Sequence, residues 1–372
     1  MDFIPVSTPS LTPEDADAVA QAIRDGWISA EGPQVKDFEA QFSQAVGVEH
    51  GIAVANGTAA LDIAFEALGI GKGDEVILPS FTIISCLSHV LRSGARPVFV
   101  DALESTWNLD PQQVKDSISP KTKAIVVVHI YGLPADIDEI LVLANEHGIP
   151  VIEDSAEAHG QHLDGKPLGS WGTISTFSFY SNKLITTGEG GMILTNDETV
   201  AQKCRTLRNL SFNPERRFVH ESLGWNYRLT AMQAALGLSQ LARIDSLLEH
   251  KRSVGRHYQE LFSDLEGVAL PLASHRGSEN VYWVFGMVLE ADFHRDAREV
   301  MTMLQERGIG TRPFFFPLHQ QPVLASYGFG HQRSLPMAEW LGRQGFYLPN
   351  GADLTAAQRE YVATQVKEVL QK

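Results

Sequence analysis

Cysteine is scarce in this sequence, whose 372 residues include only Cys86 and Cys204. The two form no CxxC pair, which excludes a zinc ribbon and a disulfide framework, and a chain without structural disulfides is typical of a reducing compartment. No apolar run approaches the roughly 18 residues that a membrane span requires. The N-terminus also lacks the basic-then-apolar order of a signal peptide. The sequence therefore predicts a cytoplasmic protein with no part in a membrane.

Positive charge is also in short supply. The chain has 30 Lys and Arg against 45 Asp and Glu, which gives a formal net charge of −15. Because binding to nucleic-acid phosphates needs a basic field, this balance argues against a nucleic-acid partner. Hydrophobic residues make up 44% and charged residues 20%, so the chain can bury a large core and is not globally disordered. At about 150 residues per domain, the length predicts two domains.

Short apolar runs alternate with helical patterns in the first two thirds of the chain. The runs are rich in β-branched residues and apolar throughout, which is typical of strands buried on both faces of a parallel sheet. We therefore predict an α/β fold with three layers, in which helices cover both faces of a mostly parallel sheet. The predicted strands are 75–79, 97–101, 124–131, 150–154, 173–179 and 191–195, and the predicted helices are 58–68, 82–93, 136–147 and 197–209.

The rest of the chain predicts a smaller α+β domain. A long helical pattern begins near residue 230 and would link a large domain, 1–245, to a small one, 246–372. The first 35 residues would form an N-terminal arm on the large domain. Predicted elements outside the central sheet are a helix at 13–25, a Gly/Pro loop at 26–33, a strand at 281–289, and helices near 296–307 and 355–371.

Polar segments follow the predicted strands at positions where ligands of open α/β sheets gather. One of them, Asn56-Gly57-Thr58, lies between a short apolar run and a predicted helix. Gly57 permits close backbone approach, Thr58 offers a hydroxyl, and the helix start offers free N–H groups, so together they would hold a phosphate. The alternative interpretation is an ordinary helix N-cap.

Two further residues complete a possible cofactor site. Lys183 lies in a glycine-rich loop after the apolar and aromatic segment FSFY. Removal of its amine from water would lower its pKa and free a nucleophile for Schiff-base chemistry, although a lone loop lysine is usually solvated. Asp154 ends a buried strand, where it could pair with a protonated pyridine nitrogen or form a capping box with Glu157. A phosphate cradle, a pyridinium partner and an amine are what pyridoxal phosphate requires.

Two other kinds of site have weaker support. The glycine-rich GIGKG at 69–73 precedes its strand rather than following it, so it does not match the dinucleotide-binding fingerprint. His159 and His162 would need further ligands at suitable spacing to bind a metal, and none is evident. We therefore expect no metal site and interpret both histidines as structural or substrate-contacting.

Five segments of the sequence form patterns that belong to a known family. They are NGTAAL, GDEVILPSFT, VIEDSAEAHG, FSFYSNKLITTGEGGM and GWNYRLTAMQAALG. With these segments the sequence resembles the DegT/DnrJ/EryC1/StrS family of nucleotide-sugar aminotransferases, and the resemblance extends over nearly the whole chain. It implies an aspartate-aminotransferase-like fold (fold type I) and pyridoxal 5'-phosphate as the cofactor.

The resemblance implies a role for each residue of the cofactor site. Lys183 would bind the cofactor covalently, and Asp154 would pair with the pyridine nitrogen. Glu157, where many members of the family have Gln, would lie near the phenolic oxygen of the ring. The cofactor phosphate would be held by Gly57, Thr58 and Ser178.

Other implied roles concern the partner subunit, the substrate and the face of the cofactor ring. Asn226 would reach the cofactor phosphate of a neighbouring subunit, which implies a homodimer with shared active sites. Many family members place an aromatic side chain over the cofactor ring where this chain has Ile83; either this aliphatic side chain or a shifted Phe81 would cover the ring here. The residues expected toward the nucleotide sugar are Trp27, Ser29, Arg312 and His319.

Further segments indicate one branch of the family. They are GWISAEGP, TWNLDP, VVHIYGLPADID, VYWVF and RPFFFPLHQQP. This branch moves the amino group of L-glutamate to C4 of GDP-4-keto-6-deoxy-D-mannose, and its product feeds O-antigen, lipopolysaccharide or related glycan synthesis.

Several alternatives stay open. The chain would be an aminotransferase for another nucleotide-linked keto sugar, with dTDP or UDP and amination at C3 or C4, or a pyridoxal-phosphate-dependent sugar dehydratase. The related dehydratases replace the lysine by histidine, whereas this chain retains Lys183. A regulatory protein on the same fold would tend to lose Lys183 or Asp154, and a plain binding protein would leave Lys183 solvated.

Overall fold

A computed structural model describes residues 2–213, 215–330 and 333–371 of the chain. In this part of the chain no helix is both long enough and apolar enough to cross a bilayer. The α-helices α1 to α13 span Pro13–Arg24, Pro33–Val46, Gly57–Ala67, Ser85–Arg92, Pro111–Ser117, Ile137–His147, Glu198–Arg208, Ala231–Leu241, Ile244–Leu261, Ala297–Gln305, Val323–Ser326, Pro336–Gln344 and Ala356–Gln371. The strands β1 to β15 span His50–Val54, Glu75–Pro79, Arg96–Val100, Thr122–Val128, Val151–Asp154, His162–Leu163, Lys166–Pro167, Ile174–Ser178, Gly191–Thr195, Val268–Ala269, Ser274–His275, Ser278–Glu279, Phe285–Leu289, Arg312–Pro313 and Gly345–Leu348.

Seven strands form a central sheet in the order β1-β9-β8-β5-β4-β2-β3. Strand β9 runs antiparallel to both of its neighbours, and the other four pairings are parallel. Side chains alternate between the two faces of the sheet, so successive residues of one strand pack in the hydrophobic cores on opposite sides of it. Val126 packs in a core with helices α3, α4 and α7, while Val127 packs in a core with α5 and α6. The prediction of an α/β fold with helices on both faces of a mostly parallel sheet is confirmed.

The last third of the chain builds a second, antiparallel sheet in the order β10-β13-β15-β14. Its core is formed with helices α9, α10 and α13. Ile4 from the other end of the chain is buried in the same core and forms a β-bridge with Ile309. Helix α9 spans the predicted boundary at residue 245, so the division into 1–245 and 246–372 stays a prediction.

Three expected elements differ in the structure. The strand predicted over 124–131 ends at Val128, before a 3₁₀ turn at Ile130–Gly132. The single helix predicted from residue 230 is wrong, because α8 ends at Leu241 and α9 begins at Ile244. At the break, the guanidinium of Arg243 donates to Asp15 at 2.7 Å and to Ser10 at 2.9 Å in the N-terminal arm. The strand expected over 281–289 begins only at Phe285, since Tyr282 has a φ of 51° and leaves the extended conformation.

Glu153, the penultimate residue of strand β5, has a carboxylate that is completely enclosed. Glu153 accepts hydrogen bonds from the His129 Nε2–H group at 3.1 Å and from the Ser175 hydroxyl at 3.0 Å. The His129 Nδ1 atom accepts from the Ala135 N–H group, so the ring proton is on Nε2. Burial alone would raise the pKa of Glu153, but these hydrogen bonds outweigh it and lower the pKa. The remaining donors are the Ser155 hydroxyl and the backbone N–H groups of Gly169, Trp171 and Gly172.

Replacement of this carboxylate tests its importance for the fold. In Glu153→Gln, an amide group would face several buried N–H donors, so we expect the free energy of unfolding to fall by about 3 kcal/mol. The matched control is Glu146→Gln, since Glu146 is exposed and its change should cost less than about 0.5 kcal/mol. Urea unfolding of both variants measures the difference, and equal stabilities would contradict the structural role of Glu153.

Candidate active site

A cavity of about 750 Å³ opens at the carboxyl ends of the central strands. The turn after β1 contributes Gly57 and Thr58, the end of β5 contributes Asp154, and the end of β8 contributes Ser178. Lys183, in the loop that joins β8 to β9, completes the wall. The structure thus brings together residues that are far apart in the sequence.

The start of helix α3 forms one end of this cavity. The side chain of Asn56 caps the helix by accepting from the Ala59 N–H group at 2.8 Å, so the N-cap interpretation is confirmed for Asn56. The N–H groups of Gly57 and Thr58 precede the first intrahelical hydrogen bonds and stay available to an anion. A Cβ atom on Gly57 would lie 2.8 Å from the Ser178 Cβ atom, so the glycine is required by close packing. Helix N–H groups beside serine and threonine hydroxyls are a donor set that fits a phosphate.

Lys183 is held inside the protein by the shape of its loop. Its backbone N–H group donates to the Tyr180 carbonyl at 2.9 Å, and the loop closes where the Phe179 N–H group donates to the Gly190 carbonyl. The side chain is only 11% exposed, and its Nζ atom lies 3.9 Å from the Glu157 Oε1 atom. Burial lowers the pKa of Lys183 against the opposing charges of nearby carboxylates. Lys183 is therefore not a solvated surface charge.

Two buried carboxyl groups face the lysine. Asp154 accepts from the Ala156 N–H group at 3.1 Å, and the Cys86 thiol donates to its other oxygen at 3.4 Å. No helix follows Asp154, so the capping-box interpretation is wrong. Glu157 accepts from the Tyr131 N–H group at 2.8 Å. Burial raises the pKa of both carboxyl groups above the ordinary range.

This arrangement has a definite chemical capacity. A buried amine whose pKa is lowered can attack an aldehyde or serve as a base. A carboxylate beneath it can pair with a protonated ring nitrogen, and the helix start can bind a phosphate at the other end of the same cavity. Lys183, Asp154 and Gly57 therefore fit the three polar groups of pyridoxal phosphate.

The residues predicted to contact the sugar nucleotide lie outside this cavity. Trp27 and Ser29 are exposed on the loop between α1 and α2. Arg312 lines a neighbouring cavity of about 230 Å³, which shares Trp283 and Tyr347 with the main one. The assignment of these residues to substrate binding stays a prediction.

His319 and Asn226 are also placed away from the cavity of their own chain. His319 is buried, with its Nδ1 atom 2.6 Å from the Ser80 hydroxyl and its Nε2 atom 3.1 Å from a Glu339 carboxylate oxygen. Asn226 is exposed, and its backbone forms a β-bridge with Asn209. Both roles stay predictions, and the role of Asn226 requires a second subunit.

The wall of the cavity contains aromatic residues that the sequence did not single out. Ile83 lines the cavity as expected for its position, whereas Phe81 is buried against Phe314 and does not reach it. The segment VYWVF indicated a core strand, and only the three-dimensional structure shows that its tryptophan faces the lysine. The aromatic lining consists of Tyr180, Tyr227, Trp283, Phe315 and Tyr347.

The histidines considered for metal binding have other surroundings. Among the described residues no group of three or more His, Cys, Asp or Glu side chains is arranged to hold a metal ion. His159 packs against the rings of Phe177 and Phe179. Burial, with the positive charge of Lys183, lowers the pKa of His159 to about 3, so its ring is neutral.

Comparison with known proteins agrees with the geometry of the site. The sequence model of the DegT/DnrJ/EryC1/StrS aminotransferase family matches residues 9–367. The chain belongs to this family. As a member of the DegT/DnrJ/EryC1/StrS family, it is an aminotransferase, which confirms both the predicted family and the predicted class of enzyme.

Individual relatives within the family align over almost the full length. The GDP-perosamine synthase of Caulobacter vibrioides is 42% identical over 368 residues, covering 99% of this chain and 98% of the relative. The GDP-perosamine synthase of Escherichia coli O157:H7 is 38% identical over 371 residues, covering 99% of each. The structure of the putative sugar aminotransferase Spr1654 from Streptococcus pneumoniae, in its PLP form, has a TM-score of 0.93 at 25% identity and covers 99% of each chain.

The close contact at Gly57 gives a test of the phosphate cradle. In Gly57→Ala the new methyl group would press on Ser178, so we expect the affinity for pyridoxal phosphate to fall on the order of tenfold while the fold is kept. Gly71→Ala is the matched control, because a Cβ atom there meets nothing within 4 Å. Absorbance titration of both variants with pyridoxal phosphate measures the effect, and equal affinities would remove Gly57 from the cradle.

Proposed function

We propose that the protein is a pyridoxal-phosphate-dependent aminotransferase that moves the amino group of L-glutamate to C4 of GDP-4-keto-6-deoxy-D-mannose. The products are GDP-perosamine and 2-oxoglutarate. The cofactor assignment is carried by one observation: the buried Lys183 amine shares a cavity with Asp154 and with the open start of helix α3. The choice of sugar is supported by identities of 42% and 38% with two GDP-perosamine synthases over nearly the whole chain.

Each end of the cavity would hold one polar end of the cofactor through residues of this chain. The N–H groups of Gly57 and Thr58, with the hydroxyls of Thr58 and Ser178, bind the phosphate. Asp154 keeps a proton on the ring nitrogen. When bound through Lys183, the cofactor supplies a ring that accepts electrons from the carbon next to the attached nitrogen.

Lys183 has a second task once it is free. Because burial lowers the pKa of its amine, the neutral form that can accept a proton at Nζ is easier to reach than in a solvated lysine. With the cofactor bound, the Nζ atom would hold the proton that a transamination moves from one carbon to another. Glu157, whose pKa is raised by burial, keeps a carboxyl group next to the amine and near the phenolic oxygen of the cofactor.

The proposal includes a homodimer with shared sites, in which Asn226 contacts the cofactor phosphate of the partner subunit. An exposed apolar surface near Asn226 supports it, since Phe218 is 80% exposed and Leu223 is 91% exposed. Surfaces of this kind mark contacts between proteins. We place the enzyme in the cytoplasm, in agreement with the two free, buried cysteines, and expect its product to serve O-antigen or related glycan synthesis.

Absorption spectra test the cofactor and both substrates, and Lys183→Ala tests the lysine. The visible band of the lysine-bound cofactor should fall with L-glutamate and return with GDP-4-keto-6-deoxymannose. Lys183→Ala should show no such band, and its turnover should fall at least about a thousandfold. Lys166→Ala changes an exposed lysine and is the matched control, so it should keep both the band and the turnover.

The outcomes separate the alternatives. If the band falls with glutamate but returns only with a dTDP- or UDP-linked keto sugar, the aminotransferase stands and the sugar is wrong. A product that has lost a hydroxyl group instead of gaining an amine would indicate a dehydratase. Absence of any band in the wild-type protein would falsify the cofactor assignment.

Subunit mixing tests the role of Asn226. We expect Asn226→Ala and Lys183→Ala to be nearly inactive alone, because each homodimer lacks one essential group at every site. Mixed dimers would contain one intact site, with Lys183 from one subunit and Asn226 from the other, so mixing should restore up to half of the activity per mixed dimer. No recovery, despite exchange of subunits shown by mass spectrometry, would mean that Asn226 does not act across the interface.

A further inference from the structure

The indole ring of Trp283 lies directly over the amine of Lys183. The distance from the Nζ atom to the ring centre is 3.7 Å, which is within the range of a cation–π interaction. Trp283 is only 6% exposed, and its indole N–H group donates to the carbonyl of Asn182 at 2.9 Å. The ring is therefore attached to the residue that precedes the lysine as well as stacked on the lysine itself.

The backbone of Trp283 is fixed from both sides. Its N–H group donates to the Tyr131 carbonyl at 3.1 Å. Its carbonyl accepts from the Nζ atom of Lys251 at 3.1 Å, and the same amine donates to the carbonyl of Asn350. The side chain of Asn350 in turn donates to the Tyr282 carbonyl at 2.7 Å. These bonds hold Trp283 just after the left-handed residue Tyr282 and before strand β13.

Lys251 is an unusual residue for such a structural position. It lies on helix α9 and is buried. Burial alone lowers its pKa to about 7, and in the described part of the chain no carboxylate charge offsets this. A buried amine without an acidic partner is costly, and here its hydrogen bonds go to the carbonyl groups of Trp283 and Asn350. The contacts of Lys251 thus serve to fix the tryptophan.

We propose that Trp283 is a positioning residue for Lys183: its indole face stabilises the lysine amine as a cation, and Lys251 fixes the backbone that carries the indole. The other titratable groups around Lys183 are Asp154, Glu157 and His159. The two carboxyl groups also favour the cation, whereas burial disfavours it. The indole gives the free amine a defined place beside the cavity wall.

This inference rests on the proposed function and deepens it. The quantity that tests it is the pKa of Lys183, which can be measured without enzyme turnover. The full-length protein is freed of cofactor, and the pKa of Lys183 is obtained from the pH dependence of its acetylation by acetic anhydride, followed on the Lys183 peptide by mass spectrometry. In Trp283→Leu we expect this pKa to fall by about 0.5 to 1.5 units, because the cation loses the ring. The direction of the pKa change separates two explanations. If the substitution only opened the site to water, the pKa of Lys183 would rise, because burial is what lowers it.

Further variants separate the effect of the indole ring from the effect of the hydrogen bonds that hold Trp283 in place. Trp283→Phe keeps an aromatic face but loses the bond to Asn182, so its shift should be smaller and in the same direction; it also replaces the leucine variant if that one does not fold. Lys251→Met removes the hydrogen bonds to the carbonyl groups of Trp283 and Asn350, so the pKa of Lys183 should fall by less than in Trp283→Leu. Trp171→Leu, at the other tryptophan stacked on a lysine, Lys166, is the matched control and should leave Lys183 unchanged.

The holoenzyme gives a second measurement. In Trp283→Phe the acidic limb of the pH profile of kcat should move to lower pH, in step with the pKa of the free lysine. An unchanged or raised pKa of Lys183 in the two Trp283 variants would overturn the inference. If the pKa falls but wild-type protein shows no transamination, the contact is real and the proposed function fails instead.

Discussion

The structure depends on two consecutive carboxyl groups, Glu153 and Asp154, at the end of the central strand β5. Because side chains alternate along a strand, they point in opposite directions. Glu153 accepts hydrogen bonds from His129, from two serine hydroxyls and from the N–H groups of Gly169, Trp171 and Gly172. Asp154 keeps part of its hydrogen-bonding capacity for the cavity. One carboxylate thus anchors the strand, and its neighbour is available for chemistry at a fixed position.

The composition of the whole chain says little about this cavity. A net charge of −15 is unfavourable for an anionic cofactor, yet the anion site uses the N–H groups of a helix start, whose partial charges act at short range. The lysine is likewise controlled locally, by burial, by Glu157 and by an aromatic ring. Positive potential is therefore supplied by a few fixed dipoles and one amine rather than by surface lysines.

Most of the central sheet was predictable from the sequence, because strands such as 75–79 and 191–195 are continuously apolar and buried on both faces. The cluster around Lys183 was predictable too, since its members follow those strands. The break between helices α8 and α9 was not predicted, because it depends on tertiary contacts. No local sequence pattern marks Arg243 as the break, since its hydrogen-bond partners lie in the N-terminal arm. Helix α2 was also not predicted. Trp283 was not recognised as a site residue, because a tryptophan in an apolar run resembles any core residue.

The bridge between Ile4 and Ile309 brings the N-terminal segment into the core that the last third of the chain builds. During synthesis on the ribosome, the segment around Ile4 emerges long before the strands and helices that cover it. The large sheet can form in the meantime, because its seven strands lie between residues 50 and 195. The N-terminal segment must remain unpaired until the C-terminal helices exist. Completion of the second core is thus a late event in folding, and its rate depends on closing the loop between residues 4 and 309.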